Sequence, residues 1–368
     1  MIQLAASEAG VSIHSQMLDL NPWLFGVLNG VVELRTETMR PAEREDYITK
    51  QGHVDYDPEA ECPRWKQFLY QVMGEDRDLV TYLQMAVGYT LTGITREQAV
   101  FILHGTGANG RSTFLEVLEQ LLGDYSKSVA SETLMTQRGR SSSGPNEDIA
   151  RLKGARLAAT CETEEGQILA EALLKRMTGE DTLVARLPYA KNSFEFRPQF
   201  KVWVAANHKP IVRGDDHAIW RRIHLIPFEQ TFEGNAQDKR LKQKLLAELP
   251  GILNWAIEGC LLWQKQGLVQ PAHIKSATME YRDEMDLLAE WIESCCSIGP
   301  NESATVGNLY QSYNGWCIAN WVKPMERRVF GRKLKSRGFQ GAKSGGQRGY
   351  RGIGLSPRQD KPKTSAAS

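Results

Sequence analysis

The spacing of hydrophobic residues changes several times along the chain. Residues 21–36 contain short apolar runs punctuated by turn residues, which predicts a pair of short strands. Between residues 63 and 92, apolar side chains recur at the three- and four-residue spacing of helices with one buried face. Residues 94–230 instead hold short continuous apolar runs, and the helical spacing returns from residue 231.

Four of the continuous runs predict a parallel sheet in the middle of the chain. They lie at residues 99–103, 156–161, 201–206 and 223–228. Helical stretches at residues 112–122 and 171–177 fall between them. Runs of this length are typical of strands that are covered by helices on both faces, so the sequence predicts an α/β core.

The changes in pattern divide the chain into five predicted segments. They are a helical N-terminal module (1–93), the α/β core (94–230), a helical region (231–292), a winged-helix-like domain (293–355) and a disordered basic tail (356–368). The fourth segment is expected to bind DNA, because two short amphipathic helices followed by a glycine-rich basic ribbon are the order of a winged-helix module.

The composition is that of an ordinary globular protein, since 41% of the 368 residues are hydrophobic and 8% are aromatic. The sequence has no apolar run of about 18 residues and no secretory signal near its start, so we expect a cytoplasmic protein without a membrane partner. The six cysteines form no C-x-x-C pair, which argues against a zinc site.

Charge is distributed unevenly along the chain. The residues from Trp321 to Ser368 include 13 Lys or Arg and two Asp or Glu, whereas the rest of the chain carries 32 basic and 42 acidic residues. A basic end on an acidic body indicates a polyanionic partner, most often a nucleic acid. For the last residues of the chain, a solubilising tail is the preferred interpretation.

The stretch GTGANGRSTF, residues 105–114, resembles the phosphate-binding pattern G-x-x-x-x-G-K-[ST]. It follows a predicted strand and precedes a predicted helix, which is the context that such a loop requires. The candidate nucleotide-binding residues are Gly105, Gly107, Asn109, Gly110, Arg111, Ser112 and Thr113. We expect ATP as the ligand and Mg²⁺ on the hydroxyl of Ser112.

Arg111 stands where the pattern has lysine. Arginine keeps the positive charge, but its planar group is bulkier and is aimed differently, so the exchange is not conservative. Two hypotheses follow: an ATPase that has adapted to Arg111, or a protein that binds nucleotide and hydrolyses it poorly. The other catalytic positions look intact, which favours the first hypothesis.

Polar residues end two of the predicted strands. Glu162 follows residues 156–161 and is a candidate for holding Mg²⁺ or polarising the attacking water. Asn207 follows residues 201–206 and is a candidate for sensing the γ-phosphate, although asparagine is also an ordinary turn residue. Glu165, close after Glu162, is interpreted as part of a solvated acidic turn.

Two adjacent arginines precede the last predicted strand. They cannot both face the same way, so one is expected to be structural. The other is expected to reach the γ-phosphate of a neighbouring subunit as an arginine finger. We favour Arg222 for that role, with Arg221 as the alternative.

A series of motifs between residues 20 and 355 resembles superfamily 3 helicases, in the branch of the phage, plasmid and poxvirus primase-helicases. In order, the motifs are NPWLFGVLNGVVEL, YLQMAVGYTLTG, ILHGTGANGRSTF, CETEEG, LLKRMTGEDTLVARLPYAKNSFEF, ANHKP and AIWRRIHLIPF. The resemblance implies an AAA+-like P-loop core in a hexameric ring, with ATP sites between subunits and single-stranded DNA in the channel.

The resemblance also implies a DNA-gripping hairpin within RLPYAKNSFEF, with Lys191 near its tip and Tyr189 and Asn192 beside it. Lysine contacts to phosphate and aromatic stacking suit sequence-neutral strand binding. Without the family, a surface hairpin of no special function is as good an interpretation. Further DNA contacts, including contacts to double-stranded DNA, are predicted for Arg332, Lys333, Lys335, Arg337, Arg348 and Arg351.

These observations predict an ATP-dependent DNA helicase or translocase that acts in phage, prophage or plasmid replication, in the cytoplasm of a bacterial host. The alternative is a DNA-binding ring that hydrolyses nucleotide poorly and acts in replication initiation. Related proteins often carry a primase domain ahead of the helicase portion. Since nothing before residue 20 resembles one, we expect either that a separate primase partner makes the primers or that the chain is a shortened member of the group.

Overall fold

The computed structural model describes residues 13–14, 17–136, 146–161, 165–188, 190, 192–214, 217–234, 237–320, 324–344 and 347–356. The chain forms two compact units, residues 1–282 and 283–368. None of the helices in the described ranges is both long and apolar enough to cross a membrane.

The first unit begins with a small antiparallel sheet and two helices. Its elements are β1 (Leu24–Val27), β2 (Gly30–Glu33), β3 (Thr38–Arg40), a 3₁₀ turn (Arg44–Asp46), α1 (Pro63–Val72) and α2 (Arg77–Leu91). Strands pair in the order β1-β2-β3, which confirms the predicted pair and adds a third strand. The side chain of Asp76 caps α2 by accepting from the backbone N–H groups of Asp78 and Leu79.

Alternating strands and helices build the central part of the first unit. The elements are β4 (Val100–His104), α3 (Arg111–Leu122), a 3₁₀ turn (Gly123–Tyr125), β5 (Ser126–Ser128), α4 (Ser131–Leu134), α5 (Glu147–Ala150), β6 (Leu157–Cys161), α6 (Glu171–Thr178), β7 (Leu183–Ala185), β8 (Phe194–Phe196), β9 (Lys201–Ala206), α7 (His217–Trp220) and β10 (Ile223–Pro227). Strands β7 and β8 form a separate antiparallel hairpin.

The predicted parallel sheet is confirmed. Its strands lie in the order β10-β4-β9-β6-β5, and every neighbouring pair is parallel. Strands β4, β9 and β10 are buried along almost their whole length, because each lies inside the sheet or under covering helices. This order places the end of β9 between the ends of β4 and β6, an arrangement consistent with a P-loop-like core.

Three helices complete the first unit: α8 (Leu241–Leu246), α9 (Leu249–Gln266) and α10 (Ala272–Glu284). Helix α9 packs on α2 at backbone contact distance. A Cβ atom on Gly88 would lie 2.1 Å from the backbone nitrogen of Cys260, and one on Gly259 would lie 2.1 Å from the carbonyl oxygen of Gln84. One continuous hydrophobic core therefore joins the N-terminal elements, the sheet and α9.

Two cations are buried where β6 and β9 begin. The guanidinium of Arg156 donates to the carbonyl oxygens of Leu91 and, at 2.6 Å, of Leu24. The ammonium of Lys201 donates to the carbonyl oxygen of Thr92 and lies 4.4 Å from the ring centre of Tyr89. Burial lowers the pKa of both groups, that of Lys201 well below its usual value. These bonds tie the end of α2 to the start of the sheet.

The second unit contains three helices and a three-stranded antiparallel sheet. Its elements are α11 (Leu287–Cys295), β11 (Cys296–Thr305), α12 (Val306–Ala319), α13 (Arg327–Ser336), β12 (Gln340–Ser344) and β13 (Gln347–Leu355), with strand order β11-β13-β12. Its core is aromatic: the rings of Trp291 and Tyr313 lie 5.5 Å and 5.1 Å, respectively, from that of Phe330. The two helices and basic ribbon expected from the sequence are present.

Candidate nucleotide-binding site

The loop between β4 and α3 requires glycine at both positions of the phosphate-binding pattern. Gly110 has φ = +89°, in the left-handed region that favours glycine. At Gly105 the obstacle is space, because a Cβ atom would lie 2.1 Å from the side-chain nitrogen of Asn109 and 2.3 Å from the carbonyl oxygen of Phe228. Between them, Gly107 has φ = +119°. The glycine spacing in the sequence is therefore a consequence of the shape of the loop.

Backbone contacts from the segment after β10 hold the loop in place. Phe228 donates its backbone N–H to the carbonyl oxygen of His104 at 2.7 Å, and Phe232 donates to that of Ala108 at 2.8 Å. The side-chain amide of Asn109 donates to the carbonyl oxygen of Phe228 at 3.2 Å. These bonds hold the loop against the segment that follows β10.

Arg111 is the first residue of α3 and is almost completely buried. Its Nε donates to Oδ1 of Asn109 at 2.9 Å, and its Nη2 donates to Oδ1 of Asn207 at 2.6 Å. Its Nη1 donates to the carbonyl oxygen of Ala206, the last residue of β9. The guanidinium therefore lies beneath the loop and connects it directly to the end of the neighbouring strand.

The sheet order explains which predicted residues come together. Strands β4 and β9 are neighbours, so the loop after one and Asn207 after the other meet at the same edge. Glu162 follows β6, the next strand along, but it lies outside the described residues. Among the residues that are described, no cluster of three His, Cys, Asp or Glu side chains forms a metal site.

Ser112 and Thr113 lie in the first turn of α3, where Ser112 is exposed and Thr113 is half-buried. The first backbone N–H groups of a helix have no partner within the helix, and the helix dipole adds positive potential there. An anion at this point would meet N–H donors, the serine hydroxyl and the positive end of a helix of 12 residues.

A cavity of about 400 Å³ opens beside Gly110 and Thr113. Its walls include Phe68 from α1 and Phe232 from the segment after β10. Its other lining residues are Arg64, Gln71, Val72, Ala108, Gln237, Asp238, Lys239, Leu241 and Lys242. The volume is in the range of small-molecule sites. This cavity could not be predicted from the sequence, because its walls come from segments far apart in the chain.

The two arginines before β10 differ in exposure. Arg222 is buried; its Nη1 donates to the carbonyl oxygen of Ala218 at 2.6 Å and its Nε to the hydroxyl of Thr178 at 3.3 Å. Arg221 is exposed and donates to the side chain of Gln98. The expected split into one structural and one accessible arginine is thus present, although the accessible one is Arg221. Which of them acts on a nucleotide stays a prediction.

The remaining predicted DNA contacts lie on the β7–β8 hairpin and in the second unit. Tyr189 and Lys191 lie outside the described residues, and Asn192 is exposed. In the second unit, Arg332, Lys335, Arg348 and Arg351 are exposed and Lys333 is half-buried. Arg337 forms an ion pair with Asp286.

Comparisons with known proteins show which families the chain resembles. Residues 1–74 match the family model described as D5 N terminal like, and residues 103–222 match a family of unknown function, DUF5906. "Putative helicase L207/L206" of Acanthamoeba polyphaga mimivirus is 28% identical over 327 residues, which are 83% of this chain and 34% of that protein. These matches show that the chain is similar to the D5-like primase-helicases.

Other relatives of this D5-like chain are also viral. "Putative helicase 022R" of Frog virus 3 is 30% identical over 263 residues, covering 67% of this chain and 27% of that protein. "Putative primase C962R" of African swine fever virus is 27% identical over 335 residues, covering 83% of this chain and 34% of that protein. The chain thus spans about a third of the length of these relatives.

A solved structure shares the fold of the D5-like chain. It is described as the A form apo structure of the NrS-1 C-terminal region, and it has 13% sequence identity and a TM-score of 0.50. The match covers 82% of this chain and 78% of that one.

Proposed function

We propose that this chain is an ATP-dependent DNA helicase or translocase that acts in DNA replication. The observation that carries the proposal is the junction of the glycine loop, Arg111 and Asn207 at the carboxyl edge of a parallel sheet. Parallel α/β sheets bind ligands at this edge. The names of the viral relatives support the same class of activity.

The loop and the start of α3 fit a nucleoside triphosphate. The phosphates would meet the backbone N–H groups of the loop, the hydroxyl of Ser112 and the guanidinium of Arg111. The adjoining cavity, with Phe68 and Phe232 in its walls, would hold the base. Oxygen ligands from Ser112 and Glu162 suit Mg²⁺, which neutralises charge on the transferred phosphoryl group.

Asn207 and Arg111 would act together on the γ-phosphate. The 2.6 Å hydrogen bond between them means that a phosphate displacing one side chain must also reposition the other. Glu162 would polarise the attacking water. Arg221, which is exposed, or Arg222 would complete the site of a neighbouring subunit in a ring, and Lys191, Tyr189 and Asn192 would contact single-stranded DNA in its channel.

A second candidate function is a DNA-binding ring that holds nucleotide without efficient turnover. The engagement of Arg111 by Asn109, Ala206 and Asn207 favours it, because a guanidinium already bonded to the protein is less available for the phosphates. Against it stand the exposed hydroxyl of Ser112 and the open cavity beside the loop.

The test is ATP turnover with and without single-stranded DNA, for the native chain and for Glu162→Gln and Arg111→Lys. The helicase proposal expects the native chain to hydrolyse ATP, DNA to raise the rate, and Glu162→Gln to remove hydrolysis while nucleotide binding persists. A native chain that is inert, with turnover appearing in Arg111→Lys, would establish the second candidate instead.

A further inference from the structure

The second unit contains an open groove between its helices and its ribbon. The groove has a volume of about 910 Å³ and is lined by the first residues of α12, by α13, and by both strands of the ribbon. Three cations, Arg327, Lys335 and Arg348, come from separate parts of these elements to line it. No carboxylate is among the described residues of its wall.

The cations of the groove differ from their neighbours in what they contact. Arg337, near Lys335 in the sequence, forms an ion pair with Asp286 and does not line the groove. Arg327, Lys335 and Arg348 are all exposed, and none of them forms an ion pair within the described part of the chain. Like charges that converge without a counter-ion repel one another, so the groove is electrostatically complementary to an anion.

The position of Arg327 adds to the electrostatic preference of the groove for an anion. One of its terminal nitrogens lies 3.8 Å from the point that a Cβ atom on Gly307 would occupy, so the guanidinium lies against the first turn of α12. A helix of 14 residues carries a partial positive charge at that end. A cation beside it is unfavourable in isolation and becomes favourable when an anion lies between the two.

Side chains alternate between the two faces of β13, so Arg348 and Arg351, which look alike in the sequence, lie on opposite faces of the strand. Successive side chains of a strand point to opposite faces. Arg348 and Tyr350 line the groove, and Arg351, on the opposite face, does not. The ring of Tyr350 is buried and its hydroxyl donates to the carbonyl oxygen of Gly331 at 2.7 Å, so it cannot stack on a base.

We propose that this groove binds the sugar–phosphate backbone of duplex DNA, through Arg327, Lys335 and Arg348 and without reading the base sequence. The proposal rests on the proposed function for the choice of DNA as the polyanion. A duplex fits better than a single strand, because proteins that hold single strands use exposed aromatic rings and the described wall of the groove offers none.

The experiment is a salt titration of duplex binding by the full chain, without nucleotide, followed by the anisotropy of a labelled mixed-sequence duplex. Each phosphate contact contributes about 0.9 to the slope of log affinity against log salt. Arg348→Gln should therefore make the slope less steep by about 0.9, and adding Arg327→Gln and Lys335→Gln by about 2.7 in total. Arg328→Gln is the matched control, since it removes the same charge from an exposed residue of α13 that does not line the groove, and it should leave the slope unchanged.

Equal effects of Arg348→Gln and Arg328→Gln would overturn the proposal, because they would indicate diffuse surface charge in place of a groove. So would a preference for single-stranded DNA, or for an acidic peptide, that depends on Arg348. Because the salt titration contains no nucleotide, a negative result does not bear on ATP turnover, which is measured in its own assay. Conversely, a chain that hydrolyses no ATP but whose duplex affinity depends on Arg348 and not on Arg328 supports the groove proposal and contradicts the helicase proposal.

Discussion

At the edge of the central sheet where β6 and β9 begin, Arg156 and Lys201 are completely buried, and at the opposite edge Arg111 lies beneath a glycine loop. All three cations donate to backbone carbonyl oxygens. The main acceptors at the first edge are the carbonyl oxygens of Leu91, Thr92 and Leu24, at the end of α2 and in β1. One side-chain acceptor, the hydroxyl of Thr92, lies 3.3 Å from the ammonium of Lys201. At the second edge, Arg111 also donates to two asparagine side chains, which can rotate.

This difference distinguishes cations that stabilise the fold from a cation that can bind a ligand. Backbone acceptors alone hold a buried charge in one place. Side-chain acceptors beside an open cavity allow the same group to exchange a protein partner for a ligand. We therefore expect substitutions at the first edge to change stability and substitutions at the second edge to change nucleotide binding.

The largest effect is expected for Arg156→Met. This change removes the donor for the carbonyl oxygens of Leu91 and Leu24 and leaves both buried. The free energy of unfolding should fall by about 4 kcal/mol. Urea unfolding followed by tryptophan fluorescence measures it, with the exposed Arg151→Met as the control. A loss of nucleotide affinity in the folded Arg156→Met protein, at unchanged stability, would contradict the structural role.

A pH effect of somewhat smaller size is expected from His224, which is buried in β10 and forms a hydrogen bond through Nδ1 with the hydroxyl of Tyr82. Burial lowers the pKa of His224 from 6.5 to about 4. The folded state therefore resists protonation, so the stability that is present above pH 6.5 is lost as the pH falls towards 4.

That depression corresponds to roughly 3 kcal/mol of unfolding free energy between the two pH values. Urea unfolding at a series of pH values measures the loss, and His224→Gln should flatten the profile in this window. A native profile that is already flat there would show that protons reach the imidazole in the folded state.

At the opposite edge, Arg111→Lys should lower ATP affinity about tenfold, equivalent to about 1.4 kcal/mol. One ammonium group cannot replace the three nitrogens that donate to Asn109, Ala206 and Asn207. Equilibrium binding of a fluorescent ATP analogue measures the change, with the exposed Arg151→Lys as the control. Tighter binding by the lysine variant would mean that Arg111 is held away from the phosphates.

The smallest effect on stability is expected for Arg221→Ala, which removes one exposed side-chain contact to Gln98. The unfolding free energy should change by less than about 0.5 kcal/mol. Arg222→Ala is the comparison and should cost more, because Arg222 is buried against Thr178 and Ala218. If ATP turnover falls in Arg221→Ala but not in Arg222→Ala, Arg221 acts across a subunit boundary. It would then be a functional residue at the edge where β6 and β9 begin, which is otherwise structural.

The sequence predicted the sheet well because its main strands are continuous apolar runs. Strands β4, β6, β9 and β10 lie within one residue of their predicted bounds. Strand β5 was not predicted, since its three residues, Ser-Lys-Ser, carry no apolar signal. Which residues of a short edge strand are buried depends on the elements packed beside it. Those elements are brought there by the tertiary structure, so the local sequence does not reveal the strand.

The site was predictable where its residues are local in sequence and not where they meet across the fold. The glycine loop is a single stretch, so its pattern was visible. Arg111 and Asn207 are 96 positions apart, and the walls of the cavity join α1 to the segment after β10. Likewise, two adjacent arginines look alike in the sequence, and only packing distinguishes buried Arg222 from exposed Arg221.

The close packing of α2 on α9 has a consequence for how the protein is made. The side chain of Gln84 donates to the carbonyl oxygen of Trp255, 171 residues later, next to the glycines through which the two helices touch. During synthesis, α2 leaves the ribosome long before its partner exists. Until α9 follows, the part of α2 that packs on α9 stays uncovered. The first unit therefore completes its core only near the end of its own translation. A chain cut after Phe228 would keep the residues of the glycine loop and of the whole parallel sheet. It would nevertheless depend on chaperones to stay in solution.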